Sequence, residues 1–509
     1  MNYDEVLPHL SRGNFGKYQT KIYILLCLPS LIIAFHNMSG VFILAVPDHR
    51  CKLDGELSNA SFKLPDDILN YSIPFDNSKQ EYSKCEYFRA DSSEAVKCSE
   101  FIWDESKVES SAVKSFALVC DRGILKATAE AIYMFGILMG CYCFGSFSDK
   151  FGRRPAFMLA MLIQILFGFL TAFAPEYLSF VIFNMIVGTT TSGAFLSAYC
   201  LSLEMVRKES RNYAGTIILM FFSTGYMLVG AFAYFIHNWR WLKISLTLPS
   251  LLFLSYWWFI PESNRWLLVN NQKGRAFAQI EKIAKTNKVN IPKDILNKLV
   301  AEEDDNKNQK KSLFGLFKSP KLRIKSLLIF FYWFVICGAY YGLSWNTSNL
   351  GGNEIINFVI SGAVELPANF FLLFALNRLG RKPILMGGMI SAGGLFLISI
   401  FFQQSHTWIF ISLIMLGKMT ITASFTTVYI FSAEQFPTVI RNVAIGAASM
   451  SARFGGMITP YVFYLSNYWQ PAPFLIYGIA VSIAGISASF LSETVNRQLP
   501  ETLADGDEL

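Results

Sequence analysis

Charged residues are scarce in this sequence. Asp, Glu, Lys and Arg make up 16% of the 509 residues, whereas hydrophobic residues make up 53%. Soluble domains carry about 25% charged residues, so this composition does not suit an ordinary soluble globule and indicates a membrane protein. The net charge of +7 is modest. It fits attraction to an anionic lipid surface better than binding of nucleic acid, which we do not expect.

Motifs for nucleotide binding and bond-breaking chemistry are missing as well. The sequence has no P-loop, no H-E-x-x-H, no pair of C-x-x-C motifs and no G-x-S-x-G elbow. These absences disfavour an enzyme and an ATP-driven pump. We therefore expect no catalytic residues, no cofactor and no bound metal.

Long apolar runs are present instead. Each is about 20 residues long, which is enough to cross a hydrocarbon core about 30 Å thick. Lipid offers no partner to an unpaired backbone group, so each span must be helical. The sequence predicts an all-α membrane protein with twelve transmembrane helices, at 22–46, 126–148, 155–174, 177–201, 213–236, 241–260, 326–347, 355–376, 383–402, 408–431, 443–465 and 472–491.

The loops between these spans differ in charge. Loops 149–154, 207–211 and 377–382 are rich in Lys and Arg, whereas loops 174–176 and 402–407 have neither. Lys and Arg collect on the cytosolic side of a membrane. The pattern predicts a multi-pass protein of the plasma membrane with both termini in the cytosol. The first apolar run is too long for a cleavable signal peptide.

The polar segment 47–125 falls on the outer side in this topology. It contains four of the nine cysteines and two N-glycosylation sequons. Four cysteines in an oxidising space indicate two disulfides, and three pairings are open. The cysteines are Cys51, Cys85, Cys98 and Cys120, and the predicted glycosylation sites are Asn59 and Asn70.

Three motifs recur in the second half of the chain at an offset of about 230 residues. The pairs are "SDKFGRRP" (148–155) with "LNRLGRKP" (376–383), "SLEMVRKESRN" (202–212) with "SAEQFPTVIRN" (432–442), and, more loosely, "PESNRWLL" (261–268) with "SETVNRQL" (492–499). Such repeats indicate two six-helix halves related by duplication. Transporters with this pattern bind their substrate between the halves, near the bilayer midplane.

The repeat and the topology together divide the chain into five parts. A cytosolic N-terminus (1–21) precedes a six-helix bundle (22–260) that includes the outer loop. A cytosolic linker (261–325) leads to a second six-helix bundle (326–491) and a cytosolic tail (492–509). The linker ends in a basic stretch, which fits either a lipid-binding or regulatory segment or a solvated flank of the next span.

At these motifs the chain resembles the major facilitator superfamily. "GSFSDKFGRR" (145–154) matches its G-x-x-x-D-x-x-G-R-R/K loop. Here Gly145 permits close helix packing, Gly152 permits a tight turn, and Asp149 can latch one conformation by pairing with arginine or a helix N-terminus. Asn377 replaces the aspartate in the second copy, which predicts a weaker latch there. The predicted latch residues are Gly145, Asp149, Gly152, Arg153, Arg154, Glu204, Arg211, Arg378, Arg381, Glu434 and Arg441.

The resemblance narrows to the organic cation, organic anion and carnitine transporter family. The Cys-bearing loop after the first span, "SGAVELPA" (361–368) and "AEQFPTVIRN" (433–442) are typical of that family. The chain departs from it where "NRW" (264–266) replaces P-R-W and where the outer loop has four cysteines instead of six. The resemblance implies a monomeric transport unit that carries a small organic ion across the bilayer by alternating access.

Three ionisable side chains lie deep in predicted spans of the second half. Glu365, Lys418 and Arg453 are each about ten residues from a helix end, or about 15 Å at 1.5 Å per residue. A central charge facing lipid costs at least about 2.5–3.5 kcal/mol, so these groups must face a cavity or one another. If Glu365 and Lys418 neutralise each other, Arg453 is a free fork for a carboxylate or sulfate. The alternative is a structural pair of Arg453 with Glu365.

The family resemblance bears on the same position. Members that carry organic anions or carnitine tend to have Arg at the place of Arg453, and members that carry organic cations tend to have Asp there. The run 417–442 is similar to the carnitine-type members. Asn369 stands where many anion transporters have Lys, which lowers the case for a carrier of anions alone.

Aromatic residues of the seventh span give a second signal. Tyr340, Tyr341 and Trp345 lie on or near one face. Aromatic rings cage quaternary ammonium groups and also hold flat apolar bodies, although such residues are as common at lipid interfaces. His36 and Asn37 in the first span are candidates to reach the cavity, with a structural role as the alternative for His36. The predicted substrate-binding residues are Arg453, Glu365, Lys418, Tyr340, Tyr341, Trp345, Asn369 and His36.

These groups favour transport of a small zwitterionic solute, of the carnitine, betaine or amino-acid-derivative kind, or of an anionic one. An organic cation carrier that uses Glu365 and the tyrosines is the alternative. A non-transporting sensor with the same fold is a less favoured one. The sequence leaves open whether a coupled ion or an exchange partner takes part.

Overall fold

Helices dominate the part of the chain that the computed structural model describes, which is residues 3–10, 15–57, 60–76, 81–89, 94–106, 108–289, 319–437 and 440–495. Thirteen α-helices cover the first half and the start of the linker. They are α1 (Tyr3–Val6), α2 (Lys17–Met38), α3 (Gly40–Ile43), α4 (Asp66–Ser72), α5 (Ala112–Phe116), α6 (Ile124–Phe151), α7 (Arg153–Ala172), α8 (Tyr177–Glu204), α9 (Arg211–Phe235), α10 (Trp239–Thr247), α11 (Tyr256–Phe259), α12 (Asn264–Val269) and α13 (Lys273–Asn287).

Seven further α-helices form the described part of the second half. They are α14 (Pro320–Trp345), α15 (Glu354–Ala363), α16 (Glu365–Leu379), α17 (Arg381–Ser399), α18 (Thr407–Gln435), α19 (Arg441–Tyr464) and α20 (Ala472–Ser487). The predicted basic stretch of the linker lies mostly outside the described residues, and so does most of the tail.

Ten membrane spans are identified by length and composition within the described ranges. The predicted spans 241–260 and 443–465 are helical in the structure but fall outside that set. The first is divided, because Pro249 starts a 3-10 segment (Leu248–Ser255) between α10 and α11. The second lies in α19, a helix of 24 residues that carries Arg441 and Arg453.

The predicted span 355–376 is also divided, into α15 and α16. The two helices meet at Val364, so Glu365 is the first residue of α16. The division places Glu365 about eleven residues from Glu354, which agrees with the depth that the sequence predicts.

The polar segment between α3 and α6 forms three short antiparallel strand pairs. These are β1 (His49–Cys51) with β6 (Phe101–Trp103), β2 (Phe75–Asp76) with β3 (Glu81–Tyr82), and β4 (Glu86–Phe88) with β5 (Ala95–Lys97). Disulfides join Cys51 to Cys98 and Cys85 to Cys120, which selects one of the three open pairings. We call the end of the helices that carries this segment the disulfide face. The opposite end, which carries α12 and α13, is the linker face.

The two sequons differ in what the structure describes. Asn70 is exposed in α4, where its Oδ1 accepts a hydrogen bond from the Tyr82 hydroxyl. Asn59 lies outside the described residues. Glycosylation at both positions stays a prediction.

Glycines bring helices into close contact inside the first half. A Cβ at Gly136 would collide with the carbonyl of Met185, and a Cβ at Gly140 would collide with the carbonyl of Thr189, so α6 and α8 meet backbone to backbone. Gly145 differs from the prediction. A Cβ there would meet only Leu196 Cδ2 at 3.7 Å, an ordinary contact, so the packing at this position does not require glycine.

Helix α13 holds the start of the chain on the linker face. Asn287, its last residue, accepts a hydrogen bond from the Tyr18 backbone N–H at 3.0 Å and donates to the Leu10 carbonyl at 2.7 Å. The buried side of α13 includes Ala276 and Ile280. This part of the linker is therefore packed against the N-terminal segment.

Candidate functional site

A buried ion pair lies between α16 and α18. Lys418 Nζ is 3.3 Å from Glu365 Oε1, and both side chains are almost completely buried. The same carboxylate oxygen accepts a hydrogen bond from the Tyr340 hydroxyl at 2.8 Å, and Oε2 accepts one from Ser223 Oγ at 2.7 Å. Both oxygens of Glu365 are thus occupied, which satisfies the requirement that a buried charge be paired and hydrogen-bonded.

The ammonium of Lys418 is equally well coordinated. It donates to Ser361 Oγ at 2.6 Å and to the Tyr226 hydroxyl at 3.2 Å, and it lies 4.3 Å from the centre of the Tyr226 ring. A cation over an aromatic face gains further attraction when water is excluded. Because Ser223 and Tyr226 belong to α9, this polar network joins the first half of the chain to the second.

Arg453 on α19 has a different environment. Within the described residues no carboxylate lies at ion-pair distance from its guanidinium, and its buried Nε has no hydrogen-bond partner. The guanidinium lies close to two tyrosines and two cysteines, namely Tyr341, Tyr429, Cys337 and Cys141. Since Cys141 is on α6 and the other three are on α14 and α18, Arg453 faces the contact between the two halves.

The sequence left two arrangements open for these charges, and the structure has the first of them. Glu365 pairs with Lys418 and not with Arg453. The three charges therefore sum to one positive charge, carried by the guanidinium. This excess charge and the unpartnered Nε are what a ligand anion would complement.

Aromatic rings line the same region. Tyr340 stacks on Phe425 with ring centres 5.3 Å apart, and Tyr341 lies at 5.3 Å from Tyr340 in an edge-to-face arrangement. Trp333 contacts Tyr429 at 4.2 Å. Residues of α14 and α18 thus form an aromatic wall that reaches from Lys418 to Arg453.

For two predicted binding residues, Asn369 and His36, the structure describes no contact with the ion pair, Arg453 or the aromatic wall. Asn369 is buried one turn after Glu365, and its Oδ1 accepts a hydrogen bond from Thr426 Oγ1 at 3.1 Å. His36 is buried nearer the disulfide face, and neither ring nitrogen has a partner within the described residues. Its neighbour Asn37, also on α2, bonds to Tyr341 of the site.

Asn37 joins the halves through two residues of α14. Its Nδ2 donates to the Tyr341 hydroxyl at 3.3 Å, and its carbonyl accepts a hydrogen bond from Trp345 Nε1 at 3.1 Å. Trp345 therefore contributes to the interface between the halves on the side of the disulfide face. Tyr341 lies one turn before Trp345 on α14, on the side of Glu365 and Lys418.

The predicted latch of the first half is assembled on the linker face. Arg153 NH1 donates to Asp149 Oδ1 at 2.8 Å, and its NH2 lies 3.5 Å from Glu204 Oε1. Arg154 reaches the backbone carbonyl of Trp257 and stacks over that indole ring. Arg211 contacts the Leu203 carbonyl through Nε at 3.3 Å.

The second half repeats this arrangement with one difference. Arg381 donates through NH2 to Glu434 Oε1 at 3.2 Å, and Glu434 also accepts a hydrogen bond from Thr494 at 2.5 Å. The contact is shorter than that of Arg153 with Glu204, so Asn377 in place of the aspartate does not leave Arg381 without a carboxylate. Arg378 is exposed, and Arg441 bonds through Nε to the Phe436 carbonyl at 3.2 Å.

Two carboxylates that sequence reasoning did not include complete the latches. Glu262 accepts hydrogen bonds from the backbone N–H groups of Arg153 and Arg154, and Glu493 accepts them from those of Arg381 and Lys382. Each caps the start of a helix, where the N–H groups have no partner in the helix itself. The signal was available, because both lie in the repeated "PES" and "SET" motifs.

These carboxylates explain why positions 152 and 380 are glycine, and their own pKa values are shifted in opposite directions. Gly152 and Gly380 have φ of 110° and 95°, and a Cβ at either would collide with the carboxylate of Glu262 or Glu493. Burial raises the pKa of Glu262 despite its backbone donors. Burial also raises the pKa of Glu493, but its four backbone N–H donors outweigh that effect and leave the pKa below its ordinary value.

Other residues of the central site were missed because they are uncharged. Ser223, Tyr226 and Ser361 bind the ion pair, and Tyr429 flanks Arg453. Ser223 and Tyr226 are three residues apart in an apolar helix, so they share a face. That spacing of polar groups in a span was the available signal.

A metal is not supported by the donor atoms in the described part of the chain. The one group with suitable spacing combines His49 with Cys85 and Cys120. Both cysteines are joined in a disulfide and offer no thiolate.

Comparisons with known proteins agree on one family. The family described as "Sugar (and other) transporter" matches residues 79–504. An "Organic cation transporter protein" of Drosophila melanogaster is 48% identical over 528 residues, covering 100% of this chain and 95% of the relative. "Solute carrier family 22 member 4" of Mus musculus is 31% identical over 526 residues, covering 99% of this chain and 94% of the relative.

Solved structures agree on the fold. The major facilitator superfamily proton:xylose symporter XylE bound to 6-bromo-6-deoxy-D-glucose superposes with a TM-score of 0.65 at 18% identity, covering 96% of this chain and 98% of that one. An inward open conformation of the xylose transporter XylE from E. coli has the same TM-score and identity, with coverage of 96% and 99%. At this identity the similarity shows the fold alone. The predicted major facilitator fold is confirmed.

Proposed function

The chain belongs to the sugar and other transporter family and, within it, to the organic cation and anion transporters of solute carrier family 22, and from this premise we propose that its cargo is a small zwitterionic or anionic organic solute. Transmembrane transport of organic ions by a multi-pass membrane protein follows from the family. The charge of the cargo does not follow from the family, and we infer it from the geometry of the site.

The unpaired guanidinium of Arg453 carries this proposal. Glu365 is occupied by Lys418, Tyr340 and Ser223, so the central charges leave one positive charge without a counterion. A planar guanidinium accepts a carboxylate with two parallel hydrogen bonds. An anionic group on the cargo would supply the partner that Arg453 lacks in the described structure.

The aromatic wall supports the opposite end of a zwitterion. Tyr340 lies beside Lys418 and stacks on Phe425, whose ring contacts Tyr429 next to Arg453. Aromatic faces attract ammonium groups. A solute of the carnitine, betaine or amino-acid-derivative kind has both a carboxylate and an ammonium group. The rings also suit the apolar body of an organic anion.

An organic cation carrier is the second candidate. A relative named "Organic cation transporter protein" and one named "Organic cation transporter-like protein" match the whole chain at 48% and 47% identity. A cation would need the carboxylate of Glu365, which requires Lys418 to move away or lose its proton. Repulsion from Arg453 and Lys418 opposes this arrangement, so the geometry ranks it second.

Alternating access would require the contacts between the halves to break. Ser223 with Glu365, Tyr226 with Lys418, and Asn37 with Tyr341 all join α2 or α9 to the second half. Rocking of the halves would open the site toward the disulfide face as these bonds separate. Net uptake of an anion against the membrane potential would further need an exchange partner or a coupled ion.

We also propose a topology, two glycosylation sites and an oligomeric state for the protein. The termini lie in the cytosol and the disulfide face lies outside the plasma membrane, with the five parts of the chain bounded as predicted. Asn59 and Asn70 carry glycans on that outer side. The transport unit is a monomer, it needs no cofactor, and it catalyses no chemical reaction.

Uptake by purified protein in liposomes tests the cargo. Benzoate, tetraethylammonium and carnitine serve as the carboxylate, the quaternary amine and the zwitterion. Wild type should take up carnitine or benzoate with saturation, and Arg453→Ala should lose at least about tenfold in kcat/KM, which is about 1.4 kcal/mol of recognition. Arg453→Asp should lose more and gain tetraethylammonium uptake.

The exposed Arg265 in α12 provides the matched control, and Arg265→Ala should behave as wild type. Equal uptake of benzoate and carnitine by wild type and both Arg453 variants would remove Arg453 from recognition. Uptake of tetraethylammonium alone by wild type would favour the organic cation carrier. No saturable uptake of any probe would favour the sensor.

A further inference from the structure

A polar recess lies in the first half, closer to the disulfide face than the ion pair. It has about 400 Å³ of empty space, counted to its opening, but its interior has room for little more than a water molecule. Residues of α2, α6 and α8 line it, and Trp345 on α14 contributes from the second half. The recess therefore sits at the edge where the two halves meet.

Its polar groups are poorly partnered. His36 and Asn37 are buried, and both ring nitrogens of His36 and the Oδ1 of Asn37 have no hydrogen-bond partner within the described residues. Glu130 lines the same recess and makes no ion pair within the described ranges. Buried polar groups are normally satisfied, so these groups are available to water or to another polar species that enters the recess.

We propose that Glu130 is a proton-binding site that makes transport respond to a pH difference across the membrane. The proposal rests on the proposed transport function, and it names the proton as the ion whose movement is coupled to transport. A carboxylate with no cation at ion-pair distance among the described residues resists transfer into a closed, water-poor recess, and a proton removes that resistance. A proton taken up from the disulfide face would therefore favour closure of the recess on that side.

The charged and titratable neighbours of Glu130 limit what else could bind there. They are His36 on α2, Lys126 and Tyr133 on α6, Lys243 on α10, and Tyr341 and Arg453 beyond Tyr133. Lys243 is buried and points to Asn184 Oδ1 at 3.5 Å. A metal cation needs several oxygen ligands, and this positively charged neighbourhood with little room does not provide them, whereas a proton needs one basic oxygen.

Trp345 provides the access gate. Its indole nitrogen bonds to the Asn37 carbonyl at 3.1 Å, and its ring contacts Tyr133 at 6.4 Å between centres. When the halves separate on the disulfide face, Trp345 leaves with the second half and the recess opens to water. Asn37 bonds to Tyr341, which lies beside Arg453, so the recess adjoins the central site. When the site opens toward the linker face, Glu130 returns the proton to water on that side.

Liposome uptake under an imposed pH difference tests the proposal, with carnitine and tetraethylammonium as probes. For wild type, an outside solution one pH unit more acidic than the inside should raise the initial uptake rate severalfold. Glu130→Gln should lose that response while still exchanging labelled for unlabelled probe. Glu94→Gln, a change at an exposed carboxylate of the disulfide-bonded segment, is the control and should keep the response.

Each other outcome has a defined meaning. Wild-type flux that ignores the pH difference, or a Glu130→Gln variant that keeps the full response, would overturn the proposal. So would a response to a sodium gradient alone, or a response lost in His36→Gln but kept in Glu130→Gln. If neither these probes nor benzoate is carried, the proposed function fails, which differs from flux without a pH response.

Discussion

Lys418 Nζ lies 3.3 Å from Glu365 Oε1, and the residues that hold this pair come from both halves of the chain. Tyr340 and Ser361 belong to the second half, whereas Ser223 and Tyr226 belong to the first. The pair is therefore both a charge-neutral element of the core and a contact that transport must loosen. Its neutrality is also the reason that, of the three central charges, only Arg453 lacks a counterion among the described residues.

The first prediction concerns the stability of this pair. Glu365→Gln or Lys418→Met alone should destabilise the protein by about 3–5 kcal/mol, because each leaves an uncompensated buried charge. The double variant should lose clearly less than the sum. Thermal unfolding in detergent, with Lys282→Met on the exposed side of α13 as control, measures the coupling. Additive losses would show that the two side chains do not act as a pair.

The second prediction compares the two latches. Asp149 is mostly exposed, so Asp149→Asn should change the unfolding free energy by no more than about 0.5 kcal/mol. Glu434 is mostly buried and bonds to both Arg381 and Thr494, so Glu434→Gln should cost about 1–3 kcal/mol. Unfolding in detergent measures both changes. A larger loss for Asp149→Asn would reverse this order and restore the sequence-based expectation of a weaker second latch.

The third prediction uses the opposite pKa shifts of Glu262 and Glu493. The pKa of Glu493 is lowered on folding, so its stabilisation is present above the ordinary value of 4.5 and is lost as pH falls through the folded pKa. The pKa of Glu262 is raised, so folding favours its protonated form and stability falls as pH rises from 4.5 through the folded pKa. The two latches should therefore respond to acid with opposite sign.

Melting temperatures measured between pH 4 and pH 7 test this sign. Glu493→Gln should flatten the rise of stability with pH, and Glu262→Gln should steepen it. The exposed Glu281 on α13 offers a control, because Glu281→Gln should leave the slope unchanged. Equal slopes for the two latch variants would contradict the assignment of their environments.

The fourth prediction concerns the disulfides. Peptide mapping without reduction should recover Cys51 with Cys98 and Cys85 with Cys120. The bonds close loops of 47 and 35 residues, so removing either pair should cost about 4 kcal/mol in the chain-entropy model. Cys143, which is free and exposed, provides the control in Cys143→Ala. Recovery of either other pairing would contradict the structure.

The fifth prediction concerns the geometry of Arg453. Arg453→Lys keeps the charge but loses the planar fork, so it should raise the KM for a carboxylate probe about tenfold, equivalent to about 1.4 kcal/mol. The kcat should change less, because the loss is in binding. Full recovery of carnitine uptake by lysine would mean that charge alone is recognised.

Much of the fold was readable from the sequence because lipid imposes simple rules. Hydrophobic length marked ten of the spans, and the basic loops marked their ends. The division of the spans 241–260 and 355–376 could not be predicted from hydrophobic length or loop charge. Whether a proline such as Pro249 breaks a helix into a 3-10 turn depends on the neighbours that accept the freed backbone groups.

The candidate site was only partly readable. Ionisable groups inside spans drew attention to Glu365, Lys418 and Arg453. The same rule applies to Glu130 and Lys243, which lie nearer the helix ends and were not considered. Asn37, not His36, turned out to face the second half, because one residue along a helix turns the side chain by about 100°.

The sequence by itself determined the family, the repeat and the depth of each charge, because helical rise converts residue number directly into distance along the bilayer normal. Only the tertiary structure decided which charges neutralise each other and which cysteines join. Glu365 and Lys418 are 53 residues apart and share partners from α9, and their contact depends on how separate helices are rotated and packed. Local periodicity specifies neither the rotation nor the packing of the helices. Only the three-dimensional structure therefore showed that Arg453, among the three central charges, has no carboxylate partner in the described part of the chain.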